Sequence, residues 1–205
     1  MSTIKTIIFD FGDVFINLDK AGAMQNALTL FELDEFPEDL IAINTLYEQG
    51  LISSEEFIEF YTDNFPKLSE EQITEAWNFI LRDFPETRLE FLKELKAENK
   101  YKLILLSNTN DIHINWVKAH VTFYEEFKNC FDQFYLSHEI YLRKPNADIY
   151  QFVLDQNDLK AEECLFIDDT KDNTDTASKL GIHTWNIDET KEDITNLFSI
   201  KKDLF

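Results

Sequence analysis

The pattern of hydrophobic positions divides the chain into strand-like and helix-like segments. A run of β-branched and aromatic residues without polar alternation is typical of a buried parallel strand. Such a run opens the chain at Ile7-Ile8-Phe9 and continues through Asp10 to Val14. Four later apolar runs predict further strands, which are Leu103 to Leu106, Phe134 to Leu136, Leu165 to Ile167 and His183 to Ile187.

Helical patterns separate the later strands. They cover residues 86–99, 146–156 and 172–180, and Gly181 is predicted to end the last helix. Strands that alternate with helices indicate parallel βαβ units. The predicted fold class is therefore α/β, with a Rossmann-like parallel sheet that carries helices on both faces.

The long stretch between the first and second strands interrupts this alternation. Ser53 and Ser69 each begin a capping-box sequence. Apolar residues such as Ile73 and Trp77 follow at helical spacing. We predict that residues 18–84 form an inserted all-helical cap domain, and that residues 1–17 and 85–205 form the Rossmann-like core domain.

The net charge of the chain excludes some classes of binding partner. The chain has 205 residues and a formal net charge of −21, so nucleic acid and anionic membranes are not expected to bind it. No apolar run approaches the ~20 residues that span a bilayer. The first residues lack a signal-peptide pattern, and two cysteines are too few for a disulfide framework. We therefore expect a cytoplasmic protein.

Chemically capable side chains follow the predicted strands, where open α/β sheets bind ligands. A carboxylate at such a place can be a nucleophile, a hydroxyl with free backbone N–H groups can hold an anion, and a lysine before proline is held extended. Two adjacent carboxylates repel each other and favour a hard cation such as Mg²⁺. Each feature alone also fits an ordinary turn or a solvated side chain. In chain order they are Asp10, Ser107 with Asn108, Lys144 before Pro145, and Asp168 with Asp169.

The order carboxylate, hydroxyl, lysine and carboxylate pair resembles the haloacid dehalogenase (HAD) superfamily, in the subgroup with a helical cap after the first motif. The match is strongest to HAD phosphatases that act on glucose 1-phosphate, and the phosphatase domain of soluble epoxide hydrolases is more distantly similar. Four sequence motifs carry the resemblance. They are Phe9-Asp10-Phe11-Gly12-Asp13-Val14, Leu106-Ser107-Asn108-Thr109-Asn110, Arg143-Lys144-Pro145 and Asp168-Asp169-Thr170-Lys171-Asp172-Asn173.

The resemblance implies a Mg²⁺-dependent phosphatase that hydrolyses a small phosphorylated metabolite, a sugar phosphate above all. It implies that Asp10 attacks phosphorus and becomes an aspartyl phosphate. Ser107 and the backbone N–H of Asn108 are then expected to hold phosphate oxygens, and Lys144 to neutralise the charge on Asp10 and on the phosphoryl group.

The resemblance also implies a magnesium site. Its expected ligands are Asp10, the backbone carbonyl of Gly12, and Asp169. Asp168 is expected to support the site from nearby. Asn173 and Thr109 are weaker candidates for supporting groups, and His113 is expected to be a packed or solvated residue.

Gly12 departs from the family pattern. Most family phosphatases carry a second aspartate at this position, and its carboxyl protonates the leaving group. The loss of general acid catalysis typically costs about 10²–10⁴-fold in rate. Asp13 is one residue further along, and in an extended turn its side chain would point the other way, so we expect it to be a turn or cap residue.

Two alternatives to a phosphatase stay open. A metal-free 2-haloacid dehalogenase of the same superfamily also lacks the second aspartate. A catalytically impaired binding or regulatory protein would have lost turnover together with its acid. The natural substrate and the oligomeric state are not encoded in any pattern that we recognise.

Charge in the predicted cap bears on the substrate. Residues 18–84 contain three basic and fifteen acidic residues, a net charge of −12. Such a cap disfavours a second anionic group within about a Debye length of 8 Å. We therefore expect an uncharged leaving group, with Tyr47 or Trp77 supplying an apolar wall for a sugar.

Overall fold

The protein is described by a computed structural model that covers residues 4–205. In this part of the chain, five parallel strands form one sheet in the order β3-β2-β1-β4-β5. The predicted parallel α/β fold is confirmed. The strands are β1 Thr6–Phe9, β2 Lys102–Ser107, β3 Gln133–Leu136, β4 Cys164–Asp168 and β5 His183–Asn186.

Both faces of the sheet are buried because side chains alternate along each strand. On β2, Leu103 and Leu105 join one hydrophobic cluster, and Ile104 and Leu106 join the other. Helices α5 Glu86–Glu98, α6 Asp111–His120, α7 Tyr124–Asn129 and α11 Leu197–Ile200 contribute to the first cluster. Helices α9 Ala147–Gln156 and α10 Lys171–Lys179 contribute to the second. A short helix, α8 Ser137–Ile140, follows β3.

Four helices lie between β1 and α5, in the segment that was predicted to be a helical insert. They are α1 Lys20–Phe31, α2 Glu38–Glu48, α3 Ser54–Asn64 and α4 Glu70–Asn78. They pack around a hydrophobic cluster of their own, which includes Tyr47 and Phe57. Both predicted capping boxes are present, at Ser53 and Ser69.

The chain enters and leaves this helical insert side by side. The backbone N–H of Asn17 donates to Asp83 O over 2.9 Å, and Arg82 N–H donates to Asn17 O over 3.0 Å. Leu18 and Leu81 form an antiparallel bridge. These contacts lie beside the predicted boundaries 17/18 and 84/85, and the division into two domains stays a prediction.

The first strand is shorter than its apolar run. It ends at Phe9, because Phe15 and Ile16 both donate backbone hydrogen bonds back to Phe11 O and fold the following residues into a tight loop. Helix α10 was predicted to end at Gly181. Gly181 adopts φ +87° and lies two residues beyond Lys179, the last residue of α10, a position that suits glycine. In residues 4–205, no helix is long and apolar enough to cross a membrane.

Candidate active site

Strand register brings the predicted carboxylates together. Phe9 lies level with Leu105 on β2 and with Ile167 on β4, so the residues that follow leave the sheet at the same edge. One oxygen from each of Asp10, Asp168 and Asp169 lies within 4.8 Å of the others. Distant parts of the sequence therefore form one compact acidic cluster.

Lys144 supplies the positive charge at this cluster. Its Nζ lies 2.8 Å from Asp10 Oδ1 and 2.6 Å from Asp168 Oδ2, and it donates a hydrogen bond to Leu106 O over 2.9 Å. The side chain is fully buried. Burial by itself would lower the pKa of Lys144, but the two carboxylates hold it above its ordinary value. The lysine therefore stays charged beside Asp10.

Asn108 holds the backbone of Lys144 in place. Its side-chain Nδ2 donates to Lys144 O over 2.9 Å, and its Oδ1 accepts from Lys144 N over 3.0 Å. This role of the Asn108 side chain was not predicted, since only its backbone N–H was expected to take part in the site. An asparagine at a strand end gives no sign in the sequence of which distant backbone it will bind.

Both carboxylate oxygens of Asp168 are engaged by hydrogen bonds from other residues of the protein. It accepts hydrogen bonds from Thr170 N over 2.8 Å and from Asn173 Nδ2 over 3.0 Å to both oxygens, in addition to the Lys144 pair. Asn173 is itself positioned near Tyr150, whose hydroxyl donates to Asn173 O. Both residues thus contact the cluster around Lys144, and their expected supporting role stays a prediction.

The pKa values of the remaining carboxylates reflect burial among like charges. Burial, together with the charges of Asp168 and Asp169, raises the pKa of Asp10 to about 7 although Lys144 opposes the shift. Burial also raises the pKa of Asp169. The cluster thus holds more negative charge than Lys144 alone compensates, which is the electrostatic environment that binds a further cation.

The residues after β2 lie at the same edge. Ser107 is buried, and its hydroxyl makes one long contact of 3.4 Å with Asn108 O. Thr109 N–H donates to Ser137 Oγ over 2.9 Å, so this amide is engaged in the protein. The expected contacts of Ser107 and of the Asn108 N–H with phosphate stay predictions.

Lys20, at the start of α1, was not among the predicted site residues. Its Nζ lies 2.8 Å from Asp13 Oδ2 and also forms a hydrogen bond with Asp169 Oδ2. These contacts raise the pKa of Lys20, although its burial acts in the opposite direction. The insert therefore supplies one cation to the carboxylate cluster of the core.

The orientation expected for Asp13 was wrong. Asp13 adopts φ +54° and not an extended conformation, so its side chain turns towards Lys20. The expected turn role is present as well, since Asp13 Oδ1 accepts from Leu18 N over 2.8 Å. Gly12 has no positive φ, and a Cβ placed on it would lie 2.7 Å from Leu18 Cδ1.

A cavity of about 410 Å³ lies in the helical insert and reaches the core at His113 and Arg143. Lys20 and Arg143, the neighbour of Lys144, both line it, so it adjoins the carboxylate cluster. Trp77 lines it as predicted, but Tyr47 does not, because it is buried against Phe57 in the insert's own cluster with ring centroids 4.3 Å apart.

His113 also lines the cavity but is a packed residue, as expected. Its Nε2 lies 3.0 Å from Trp77 O and its Nδ1 lies 3.2 Å from Asn110 Nδ2. Burial lowers its pKa to about 4. It is therefore neutral near pH 7 and has no free ring nitrogen for chemistry.

Comparison with known proteins agrees with this geometry. A family model described as haloacid dehalogenase-like hydrolase matches residues 4–181. The chain is 29% identical over 192 residues to a D-ribitol-5-phosphate phosphatase of Bacteroides thetaiotaomicron, covering 89% of this chain and 91% of the relative.

Solved structures extend the comparison. A HAD family enzyme of Bacteroides thetaiotaomicron, solved as a magnesium complex, is 37% identical, with a TM-score of 0.84 over 95% of this chain and 98% of that one. The same enzyme solved with magnesium and inorganic phosphate superimposes with a TM-score of 0.82 at 36% identity over 95% and 99%. An L-2-haloacid dehalogenase shares the fold at 18% identity, with a TM-score of 0.61 over 98% and 99%.

Proposed function

The chain belongs to the haloacid dehalogenase-like hydrolase family, and within it we propose a Mg²⁺-dependent phosphatase that hydrolyses a small phosphomonoester, a sugar or polyol monophosphate. The observation that carries the proposal is the buried Lys144 between Asp10 and Asp168. The phosphatase and the magnesium and phosphate complexes among its relatives support it.

In the proposed reaction, Asp10 is the nucleophile. Its free oxygen bonds to phosphorus while the bond from phosphorus to the leaving-group oxygen breaks, and that oxygen takes a proton from solvent water. Water then attacks the aspartyl phosphate, which releases inorganic phosphate and regenerates Asp10. Lys144 holds Asp10 through Oδ1 over 2.8 Å, and Ser107 and the Asn108 N–H bind phosphoryl oxygens.

Electrostatics sets the main requirement of this reaction. The nucleophile and the phosphoryl group are both anionic, so fixed positive charge must offset their repulsion. Lys144 provides one such charge. Because Asp168 is already saturated by hydrogen bonds, it orients Lys144. Asp10 and Asp169, whose Oδ2 also accepts a hydrogen bond from Lys20, are left to meet a metal.

The donor set fits Mg²⁺. The groups that would hold it are the carboxylates of Asp10 and Asp169 and the backbone carbonyl of Gly12, all hard oxygen donors of the kind that Mg²⁺ prefers. The raised pKa values of Asp10 and Asp169 are consistent with a site that gains from a second cation. When bound, Mg²⁺ supplies charge neutralisation for the phosphoryl group.

The test measures phosphate release from sugar monophosphates as Mg²⁺ is titrated. Asp10→Asn should abolish turnover, and Asp169→Asn should sharply raise the Mg²⁺ concentration required. Asp172→Asn, an exposed aspartate on α10, is the matched control and should behave as wild type. Activity that survives EDTA unchanged would contradict the metal assignment.

The same purified protein distinguishes a phosphatase from the two alternatives, a 2-haloacid dehalogenase and a regulatory protein. Metal-independent release of halide from a 2-haloacid would indicate a dehalogenase. A regulatory protein would take up one phosphoryl group at Asp10 in a single turnover and release it very slowly. Intact-mass measurement after mixing with a phosphate ester distinguishes this result from multiple turnover.

A further inference from the structure

The cavity in the insert has two unlike walls. Helices α1 and α4 contribute an apolar wall, made of Ala23, Met24, Ala27, Ile73, Ala76 and Trp77. Helix α2 contributes Ile41 and three polar residues from the same face. We call the polar strip the set of Asn44, Thr45 and Glu48 on α2 together with Arg143 from the core.

The strip keeps unused hydrogen-bonding capacity. Asn44 Oδ1 accepts from the hydroxyl of Tyr61 over 2.8 Å, which fixes the amide and leaves its N–H groups to donate. Thr45 donates its hydroxyl to Ile41 O over 2.9 Å, so its oxygen is left as an acceptor.

Glu48 and Arg143 form the end of the strip nearest the acidic cluster, because Arg143 directly precedes Lys144. Their ion pair joins Arg143 Nε to Glu48 Oε2 over 2.7 Å, and Arg143 Nη1 also donates to Lys144 O over 3.3 Å. Within residues 4–205, no hydrogen bond engages Glu48 Oε1 or Arg143 Nη2. One acceptor and one donor group therefore remain at this end.

The charges that line the cavity are already paired. Its two cations are Lys20, which contacts Asp13 and Asp169, and Arg143, which contacts Glu48. A second phosphate or a carboxylate on the substrate would meet no uncompensated positive charge among these residues. An uncharged group with hydroxyls suits the strip better, since hydroxyls both donate and accept.

We infer that the polar strip binds the hydroxyl groups of an uncharged, polyhydroxylated leaving group, while the apolar wall packs against its carbon skeleton. This inference rests on the proposed phosphatase function and deepens it, since it names the substrate class as polyol or sugar monophosphates. Glu48, Thr45 and Arg143 are then specificity-determining residues.

The experiment compares kcat/KM for ribitol 5-phosphate and glucose 1-phosphate with kcat/KM for phenyl phosphate, which has no hydroxyl in its leaving group. The variants are Glu48→Gln and Thr45→Val, both close in shape to the native residues. Each should lower kcat/KM for the better of the two hydroxylated esters by about tenfold, as expected for one lost hydrogen bond to a specific hydroxyl. Phenyl phosphate should change by less than about threefold.

Glu59→Gln is the matched control. Glu59 is exposed on α3 and does not line the cavity, so the variant removes the same charge from the insert without touching the strip. It should leave all three esters as in wild type. Far-ultraviolet circular dichroism checks that each variant folds. If Glu48→Gln does not fold, Thr45→Val alone tests the inference.

The outcomes separate this inference from the function on which it rests. If no ester is hydrolysed with Mg²⁺, the proposed function fails. If esters are hydrolysed but the strip variants slow all of them equally, the strip only holds the insert against the core and the inference is overturned. A wild-type preference for phenyl phosphate, or an equal effect of Glu59→Gln, would overturn it as well.

Discussion

The ammonium of Lys144 lies 2.8 Å from Oδ1 of Asp10, and the lysine side chain is fully buried. The two residues are far apart in sequence, and Lys144 is the cation that pairs with Asp10. Because Lys144 also pairs with Asp168 at 2.6 Å, one buried cation serves two buried carboxylates. The charge balance of Asp10 and Asp168 therefore depends on a single side chain, whereas Asp169 pairs with Lys20.

Replacement of Lys144 by Met should impair both stability and turnover. Removing one partner of a buried ion pair typically costs about 3–5 kcal/mol, because a charge is left uncompensated. Turnover should fall by at least about 10²-fold, the usual effect of losing one preorganised charge-stabilising group. Urea unfolding and steady-state kinetics measure the two effects.

Lys171→Met is the control for this prediction. Lys171 pairs with Asp175 at the protein surface, where its side chain is 71% exposed, and surface pairs contribute little. Both properties should stay close to wild type. A Lys144→Met variant that keeps full activity would rule out a role for this lysine at the phosphoryl group.

The contribution of Asp10 to the stability of the metal-free protein should fall as pH rises from about 4 to about 7. Burial raises the pKa of Asp10 from 3.8 to about 7, so the folded state binds more protons than the unfolded state in this window. The resulting stabilisation is complete below the unfolded pKa and is lost as pH rises through the folded pKa.

Thermal unfolding in EDTA, compared between wild type and Asp10→Asn, checks this prediction. Asparagine does not ionise, so the variant should gain stability relative to wild type on going from about pH 5 to about pH 8. A difference that is constant across this range would show that Asp10 titrates at its ordinary pKa.

Restoring the family's second aspartate at Gly12 should accelerate the hydrolysis of esters with poor leaving groups. The backbone permits a side chain because Gly12 has no positive φ, but a Cβ would lie 2.7 Å from Leu18 Cδ1. Gly12→Ala isolates this crowding, for which about 1–3 kcal/mol of destabilisation is expected.

Rates are therefore compared between Gly12→Asp and Gly12→Ala. The aspartate should speed an alkyl phosphate by up to about 10²-fold, the lower end of general acid catalysis. It should help p-nitrophenyl phosphate less, since that leaving group needs no proton. Equal acceleration of both esters would exclude general acid catalysis as the cause.

The enzyme should prefer substrates whose leaving group is uncharged. Residues 18–84 carry a net charge of −12, and both cations that line the cavity are already paired. Glucose 1-phosphate should therefore show a higher kcat/KM than fructose 1,6-bisphosphate or phosphoglycolate. Added salt should narrow the gap by screening the repulsion. A clear preference for either polyanion would refute the prediction.

The sequence by itself determined the fold class and the family. Buried parallel strands require continuous apolar runs, and helix starts require side chains that cap free N–H groups, so these elements are encoded locally. The strand ends then placed Asp10 and Asp169 at one edge, because parallel strands share the direction of their carboxyl ends. Lys144 reaches this edge from the loop between α8 and α9. His113 was expected to be packed or solvated, and it is packed.

Only the tertiary structure decided which side chains contact each other across the boundary between insert and core. Lys20 reaches Asp13 and Asp169 because α1 begins directly above the loop after β1, and no sequence spacing encodes that approach. Asp13 turns towards Lys20 through a positive φ, a conformation that the loop's hydrogen bonds impose on a non-glycine residue. Tyr47 was expected in the cavity wall but is buried, since helical periodicity defines a face and not the neighbour against which that face packs.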